Sequence, residues 1–105
     1  MHWSVVTVAL FAVTAPFSHA LAVDDHDVLA LMRKHCVTCH AARPTHESFQ
    51  EVPKNITLET IADIRKHAAT ISAQTVQTKA MPLGNQTGMS DEERATLAQW
   101  LKNQQ

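Results

Sequence analysis

The six residues HCVTCH, at positions 35–40, hold both cysteines of the chain and place a histidine directly after the second cysteine. Four kinds of site use cysteines at this spacing: a covalently attached haem, a zinc site, a thiol redox pair and a simple disulfide. The sequence around the motif favours one of these chemistries over the others.

Cys-x-x-Cys-His is the pattern of c-type haem attachment. The spacing has a chemical reason, because two thiols add across the two vinyl groups of the porphyrin and the next residue then lies under the iron. We therefore predict that Cys36 and Cys39 form the haem thioethers and that His40 is the proximal iron ligand. A ligating histidine usually donates its second ring N–H to an acceptor. We expect a backbone carbonyl of residues 41–57, near Pro44 or Pro53, to accept it.

The other readings of the motif find less support in the sequence. A zinc site usually needs four protein ligands; the chain has no second cysteine pair, although His46 and His67 could be recruited. A thioredoxin-like pair needs a βαβ context, and no strand is predicted. A disulfide between Cys36 and Cys39 closes too small a loop to stabilise the fold much. One covalently bound haem c is the favoured cofactor, with these alternatives still open.

The first twenty residues resemble a secretory signal peptide rather than part of a domain. Residues 5–13 are apolar apart from Thr7, and Ser18-His19-Ala20 is a small-x-small pattern that suits signal peptidase. We predict a signal peptide at 1–20, with Ala22 as a second cleavage point, and one domain at 21–105 in the periplasm. The apolar stretch is short for a membrane span. Because no Lys or Arg precedes it, an uncleaved anchor is the alternative.

The composition of residues 21–105 also favours a cofactor. The formal charge of the chain is −1, and no basic stripe indicates nucleic-acid binding. Only two aromatic residues follow position 20, Phe49 and Trp100. Small domains bury a smaller share of their surface and usually need a disulfide, metal or cofactor to hold them. A large flat apolar cofactor would fill the centre of the domain, which so few aromatic residues leave unfilled.

Three helices and no strand are predicted. The first runs from about Asp27 to about Cys36, with an aspartate as its cap. The second runs from about Leu58 to Thr75 or a little beyond, with Thr57 as a cap candidate, and the third begins after the N-cap candidate Ser90. The acidic cluster of Asp24, Asp25 and Asp27 is predicted to belong to a helix N-terminus rather than to a binding site. Residues 41–57 and 79–90 are predicted loops because they hold the prolines and glycines of this region.

Met81 is the predicted distal ligand of the iron. It follows His40 by 41 residues on the second loop, and Pro82 biases it towards an extended backbone that could cross a flat haem face. Met89 is the rival, although a residue just before an N-cap more simply packs at the helix entry. A histidine ligand or an open site is the third option, and Met32 is predicted to be a core residue.

The order helix, CxxCH, loop, helix, methionine loop, helix resembles a small class I cytochrome c over roughly residues 25–103. The resemblance implies an all-α, small cytochrome c fold with three main helices and loops around one covalently attached haem. The resemblance also implies that Cys36, Cys39 and His40 form the haem-attachment motif and that Met81 is the distal ligand. In that family the first and last helices pack together, which here would set Leu29 or Met32 against the last helix at Leu97, Trp100 and Leu101.

A narrower resemblance comes from two stretches of sequence. HCVTCHAARPTH (35–46) and AMPLGNQTGMSDEERATLAQWL (80–101) are similar to the C-terminal cytochrome c domain of bacterial membrane-bound urate oxidases. There the haem domain is thought to pass electrons from urate oxidation to a respiratory chain. Here a signal-peptide-like segment takes the place of the multi-helix membrane domain. The resemblance therefore implies a free-standing partner of such an oxidase or of another periplasmic dehydrogenase.

The predicted function is that of an electron carrier and not of an enzyme. One haem would shuttle single electrons between redox proteins that dock transiently on a monomer through the apolar rim of the haem, as small redox interfaces do. Neither nucleic acid nor membrane is an expected direct partner, unless the N-terminal segment stays uncleaved. The alternative function is a haem-based gas-binding or sensor protein with a labile distal ligand.

Overall fold

Capped helices build the part of the chain that carries the cysteine motif. The structure is a computed structural model that describes residues 1–12 and 22–104. Its α-helices are α1 (Asp25–His35), α2 (Ile61–Lys66), α3 (Ala68–Ile71) and α4 (Asp91–Lys102), with a π-helical segment at Ser72–Gln77 and 3₁₀ turns at Pro53–Asn55 and Leu83–Asn85. No strand occurs within the described ranges, which confirms the all-α class.

Helix α1 begins with a complete capping box. The Asp24 carboxylate accepts from the backbone N–H of Asp27, and the Asp27 carboxylate accepts from that of Asp24, at 2.8 and 3.3 Å. Such a box satisfies two backbone donors that the first turn leaves without partners. The helix therefore starts two residues earlier than predicted, and the acidic cluster belongs to its N-terminus as expected.

The second predicted helix is not one helix. Thr60, rather than Thr57, is the N-cap of α2 and accepts from the backbone N–H of Asp63. The chain departs from helical geometry at His67, with φ −106° and ψ 16°, before α3 and the π-helical segment continue it. Leu58 stays outside the helix because its backbone N–H donates to the His40 carbonyl at 2.8 Å. The prediction from Leu58 to Thr75 therefore started too early and missed the break.

Helix α4 begins as the sequence predicts. The Ser90 hydroxyl accepts from the backbone N–H of Glu93, and the Glu93 carboxylate accepts from that of Ser90, at 3.0 and 3.1 Å. The helix packs on α1, as expected. The core between them holds fully buried side chains from both helices, among them Val28, Met32, Leu97, Trp100 and Leu101. Leu29 lies half-buried beside this cluster.

The N-terminal residues differ from this helical body. Residues 1–12 have no regular secondary structure, and their side chains are exposed. The predicted cleavage site after Ala20, and most of the alternative motif ending at Ala22, fall outside the described residues. None of the helices in the described ranges has both the length and the apolar character needed to cross a bilayer.

Candidate functional site

The cysteine motif forms a turn directly after α1. The backbone N–H groups of Cys36 and Val37 both donate to the Met32 carbonyl, at 2.8 and 2.9 Å. The Cys36 carbonyl in turn accepts from the backbone N–H groups of Cys39 and His40, at 3.2 and 2.8 Å. The end of a packed helix therefore fixes both cysteines and the histidine in one short, hydrogen-bonded segment.

All four predicted site residues line the same cavity. Cys36, Cys39, His40 and Met81 lie on the wall of a space of about 300 Å³ that is open on one side. The motif and the methionine loop, forty residues apart in sequence, therefore meet at one place. Most of the remaining wall is apolar and includes Phe49, Ile56, Leu58, Ile71 and Pro82.

A backbone hydrogen bond orients the ring of His40. Its Nδ1 atom lies 2.8 Å from the carbonyl oxygen of Ile56. Because a carbonyl can only accept, Nδ1 carries the hydrogen, and Nε2 of the neutral ring keeps a lone pair. This is the tautomer that a ligating imidazole needs. The acceptor lies in residues 41–57, as expected, and is the third residue after Pro53.

The environment of the two thiols bears on whether they could form a redox pair. Cys36 and Cys39 are free cysteines in this structure. Burial and, to a lesser degree, the neighbouring Cys39 thiol together raise the pKa of the Cys36 thiol to about 12. Reactive cysteines have lowered pKa values, because the thiolate is the nucleophile. The environment of Cys36 therefore disfavours thiol exchange at neutral pH.

Among the residues that the structure describes, the motif does not bring a set of zinc ligands together with its neighbours. Within residues 1–12 and 22–104, one set of three acidic, histidine or cysteine side chains brings its ligand atoms within 4.8 Å of one another: Asp24, His26 and Asp27. All three are exposed, and the two aspartates form the capping box of α1. Cys36 and Cys39 belong to no such set, so the zinc reading loses support.

The structure separates the methionine candidates. Met81 is half-buried and lines the cavity, whereas Met89 is 5% exposed and belongs to the hydrophobic core. Met32 is 1% exposed and lies in the same core, as expected. Of the methionines in the described ranges, Met81 is therefore the one that lines the cavity.

Histidines other than His40 occupy different positions. His67 lines the cavity from the break between α2 and α3. His35 also borders the cavity, but Nδ1 and Nε2 of its ring lie 2.7 and 2.9 Å from Thr87 Oγ1 and Glu93 Oε2. His46 lies 3.1 Å from the amide oxygen of Gln86, outside the cavity wall. His67 is thus the histidine rival to Met81.

Arg94 is a neighbour of the site that sequence reasoning missed, and the buried hydrogen-bonding role of His35 was not predicted either. Arg94 is buried and donates to the backbone carbonyl of Met81 at 2.8 Å. Both residues carried a signal, because Arg94 precedes the buried Leu97 by three residues and His35 follows the buried Met32 by three. A polar residue on the apolar stripe of a helix indicates a buried side chain with a fixed partner.

No protein-family model, curated protein or solved structure matches this chain. The function is therefore inferred from the residues and the geometry of the cavity.

Proposed function

We propose that this chain is a periplasmic monohaem c-type cytochrome of the small class I fold. It would carry single electrons between a dehydrogenase or oxidase and a respiratory chain. The observation that carries the proposal is the convergence of Cys36, Cys39, His40 and Met81 on one apolar cavity. Two thiols, one imidazole and one thioether form the donor set that a covalently bound haem requires.

The residues present fit that cofactor. Cys36 and Cys39 would hold it through thioethers, and His40 would bind its iron through Nε2, the ring nitrogen left with a lone pair. Met81 would supply a second protein ligand to the iron through its thioether. The apolar wall suits a flat macrocycle, since burying apolar surface is favourable by about 25 cal/mol per Å².

The protein's own groups favour electron transfer over catalysis. When bound, haem supplies an iron that gains and loses one electron. The Ile56 carbonyl fixes the His40 ring, and hydrogen bonds to both the N–H and the carbonyl of Met81 fix its backbone. A pair of fixed axial ligands needs little rearrangement between oxidation states and leaves no open position for a substrate. This arrangement supports the role of a carrier rather than that of an enzyme.

Docking would take place at the open side of the cavity. Leu83 is 55% exposed, and both it and the exposed Lys54 lie on the cavity wall. A small, mostly apolar rim on a nearly neutral chain suits the weak, brief encounters of redox proteins. The resemblance of residues 35–46 and 80–101 to the haem domain of urate oxidases makes a urate-oxidising enzyme one candidate donor.

The first test is the visible spectrum of protein made in a host that attaches haem c. We expect a c-type reduced spectrum, a weak near-red methionine-to-iron(III) band and no response to carbon monoxide. Protein without covalent haem would refute the proposal. A ready carbon monoxide shift without the near-red band would instead favour the gas-binding or sensor function with a labile distal ligand.

A matched pair of variants tests the assignment of the methionine. Met81→Leu removes the thioether at nearly constant volume, so the near-red band should disappear and the reduction potential should fall, since a His/Met pair raises it. Met89→Leu makes the same change in the core and should leave both properties unaltered. If Met81→Leu keeps the band and Met89→Leu abolishes it, Met89 rather than Met81 is the ligand. If the wild type lacks the band and His67→Ala changes the spectrum, the ligand is His67.

A further inference from the structure

Arg94 is a buried cation that binds backbone carbonyls instead of a carboxylate. It lies in the first turns of α4 and is 7% exposed. Its Nη1 donates to the carbonyls of Thr75 and Met81, at 2.7 and 2.8 Å, and its Nη2 donates to Asn85 Oδ1 at 3.4 Å. No ion pair of Arg94 occurs among the residues that the structure describes. Burying a charge is costly, so these hydrogen bonds must offset much of that cost.

The two carbonyls belong to segments that meet at the cavity. Thr75 lies in the π-helical segment Ser72–Gln77, and Met81 lies in the loop that follows it. The planar guanidinium presents several donors in a rigid fork, which lets one side chain join both segments. Arg94 therefore anchors both of them to α4, which is packed on α1 through the core.

The backbone of Met81 is anchored at both of its polar groups. Its N–H donates to the Gln74 carbonyl at 2.8 Å, and its carbonyl accepts from Arg94. Asn85, with a left-handed φ of 47°, accepts from the Met89 N–H at 2.9 Å and so closes the loop beyond Met81. Asparagine tolerates this backbone conformation better than most residues. Met81 thus lines the cavity from a backbone that cannot shift without breaking hydrogen bonds.

We propose that Arg94 is a positioning residue for the distal ligand. By holding the Met81 carbonyl, it keeps the thioether at the iron and so protects the sixth position from external ligands. The inference rests on the proposed haem site. Its effect is largest in the oxidised state, because a soft neutral thioether binds iron(III) less strongly than iron(II). The iron(III)–sulfur bond then depends more on the protein to hold the sulfur in place.

The test is a titration of oxidised protein with imidazole, together with the near-red band. For Arg94→Gln we expect a weaker band and an imidazole affinity that rises about tenfold, which corresponds to about 1.4 kcal/mol. Arg94→Lys keeps the charge but lacks the rigid fork, so its affinity should fall between those of the wild type and Arg94→Gln. If Arg94→Gln does not fold, Arg94→Lys still tests the inference.

Two control variants separate positioning from general destabilisation. Leu97→Ala removes a fully buried side chain one turn further along α4, and Arg65→Gln removes an exposed arginine that pairs with Asp25. Both should keep the wild-type band and imidazole affinity. If Leu97→Ala raises the imidazole affinity as much as Arg94→Gln does, the role of Arg94 is merely structural and the inference is wrong.

The wild-type protein distinguishes the two proposals. If it shows the near-red band and Arg94→Gln leaves both the band and the imidazole affinity unchanged, the inference about Arg94 fails while the proposed function stands. If the oxidised wild-type protein lacks the band, methionine is not the ligand, and the inference falls together with that part of the proposed function.

Discussion

Glu93 should make the stability of this protein sensitive to acid. Its carboxylate lies at the start of α4, with Oε2 2.9 Å from Nε2 of His35 and 3.1 Å from the Lys34 ammonium. The hydrogen bond from His35, followed by that from the Ser90 backbone N–H, lowers the pKa of Glu93 to about 2. The contact between His35 and Glu93 connects the end of α1, directly before Cys36, to α4. Its loss therefore weakens the attachment to α4 of the helix that precedes the cysteine motif.

The direction of the pH effect follows from the lowered pKa. In the unfolded chain Glu93 has its ordinary pKa of about 4.5, so between about 4.5 and 2 the unfolded chain binds the proton more tightly than the folded one. The stabilisation from Glu93 is therefore complete above about pH 4.5, and more than half of it should be lost by about pH 3.

The variant Glu93→Gln keeps the shape of the side chain and removes the charge. The loss of unfolding free energy that this variant causes at pH 7 can be derived from the contacts of Glu93. A hydrogen bond to a charged group contributes about 1.5–3 kcal/mol, while the pair with Lys34, whose side chain is 60% exposed, adds little. We expect Glu93→Gln to lower the free energy of unfolding by about 1.5–3 kcal/mol at pH 7 and by less than half of that near pH 3.

Urea unfolding of the haem-loaded protein, followed by circular dichroism across this pH range, measures the difference between the wild type and the variant. Asp91→Asn is the matched control, because Asp91 lies in the same first turn but its side chain is 94% exposed. It should change stability by less than about 0.5 kcal/mol at every pH. A difference between wild type and Glu93→Gln that stays constant from pH 7 to 3 would refute the reasoning.

Three further predictions concern helices α1 and α4 and the packing between them. Each is measured by urea unfolding. Leu97→Ala should lower the free energy of unfolding by about 3–5 kcal/mol, because the Leu97 side chain is fully buried. Leu29→Ala, at a half-buried position, should lower it by about 1–2 kcal/mol. Equal losses for the two variants would contradict this packing. Ser90→Ala should cost about 1 kcal/mol through loss of the N-cap of α4, whereas Ser90→Asp should not. Trp100→Phe removes the indole N–H that donates to Asp25 at 3.0 Å and should cost at least about 1 kcal/mol. A cost that persists undiminished in an Asp25→Ala background, which lacks the acceptor, would show that the bond is not its cause.

Local signals in the sequence predicted the ends of the fold well. Ser90 followed three residues later by Glu93 is a capping box, and it places the start of α4 correctly because both bonds form within one turn. The apolar stripe of Leu97, Trp100 and Leu101 identifies the buried face for a similar reason, since helical spacing alone decides which side chains share a face. Both signals depend on neighbours in sequence, which a reader of the sequence can see.

The middle of the chain could not be predicted in the same way. Its apolar spacing continues from Leu58 through Ile71, which is typical of a single helix. Two effects interrupt that pattern: the N–H of Leu58 donates to the His40 carbonyl, and the backbone leaves helical geometry at His67. The first effect joins residues far apart in sequence, so no local pattern contains it.

Long-range contacts are equally hidden from the sequence within the candidate site. There the hydrogen-bond donors can be predicted from the sequence, whereas their acceptors cannot. Histidine and arginine can be recognised by type, so His40 was predicted and Arg94 could have been. Their acceptors are the carbonyls of Ile56 and Met81, and every residue in the chain carries a carbonyl. Only the fold selects which one a donor reaches. The cysteine motif therefore identifies the chemistry, while backbone oxygens that the sequence cannot single out set the orientation of His40 and the position of Met81.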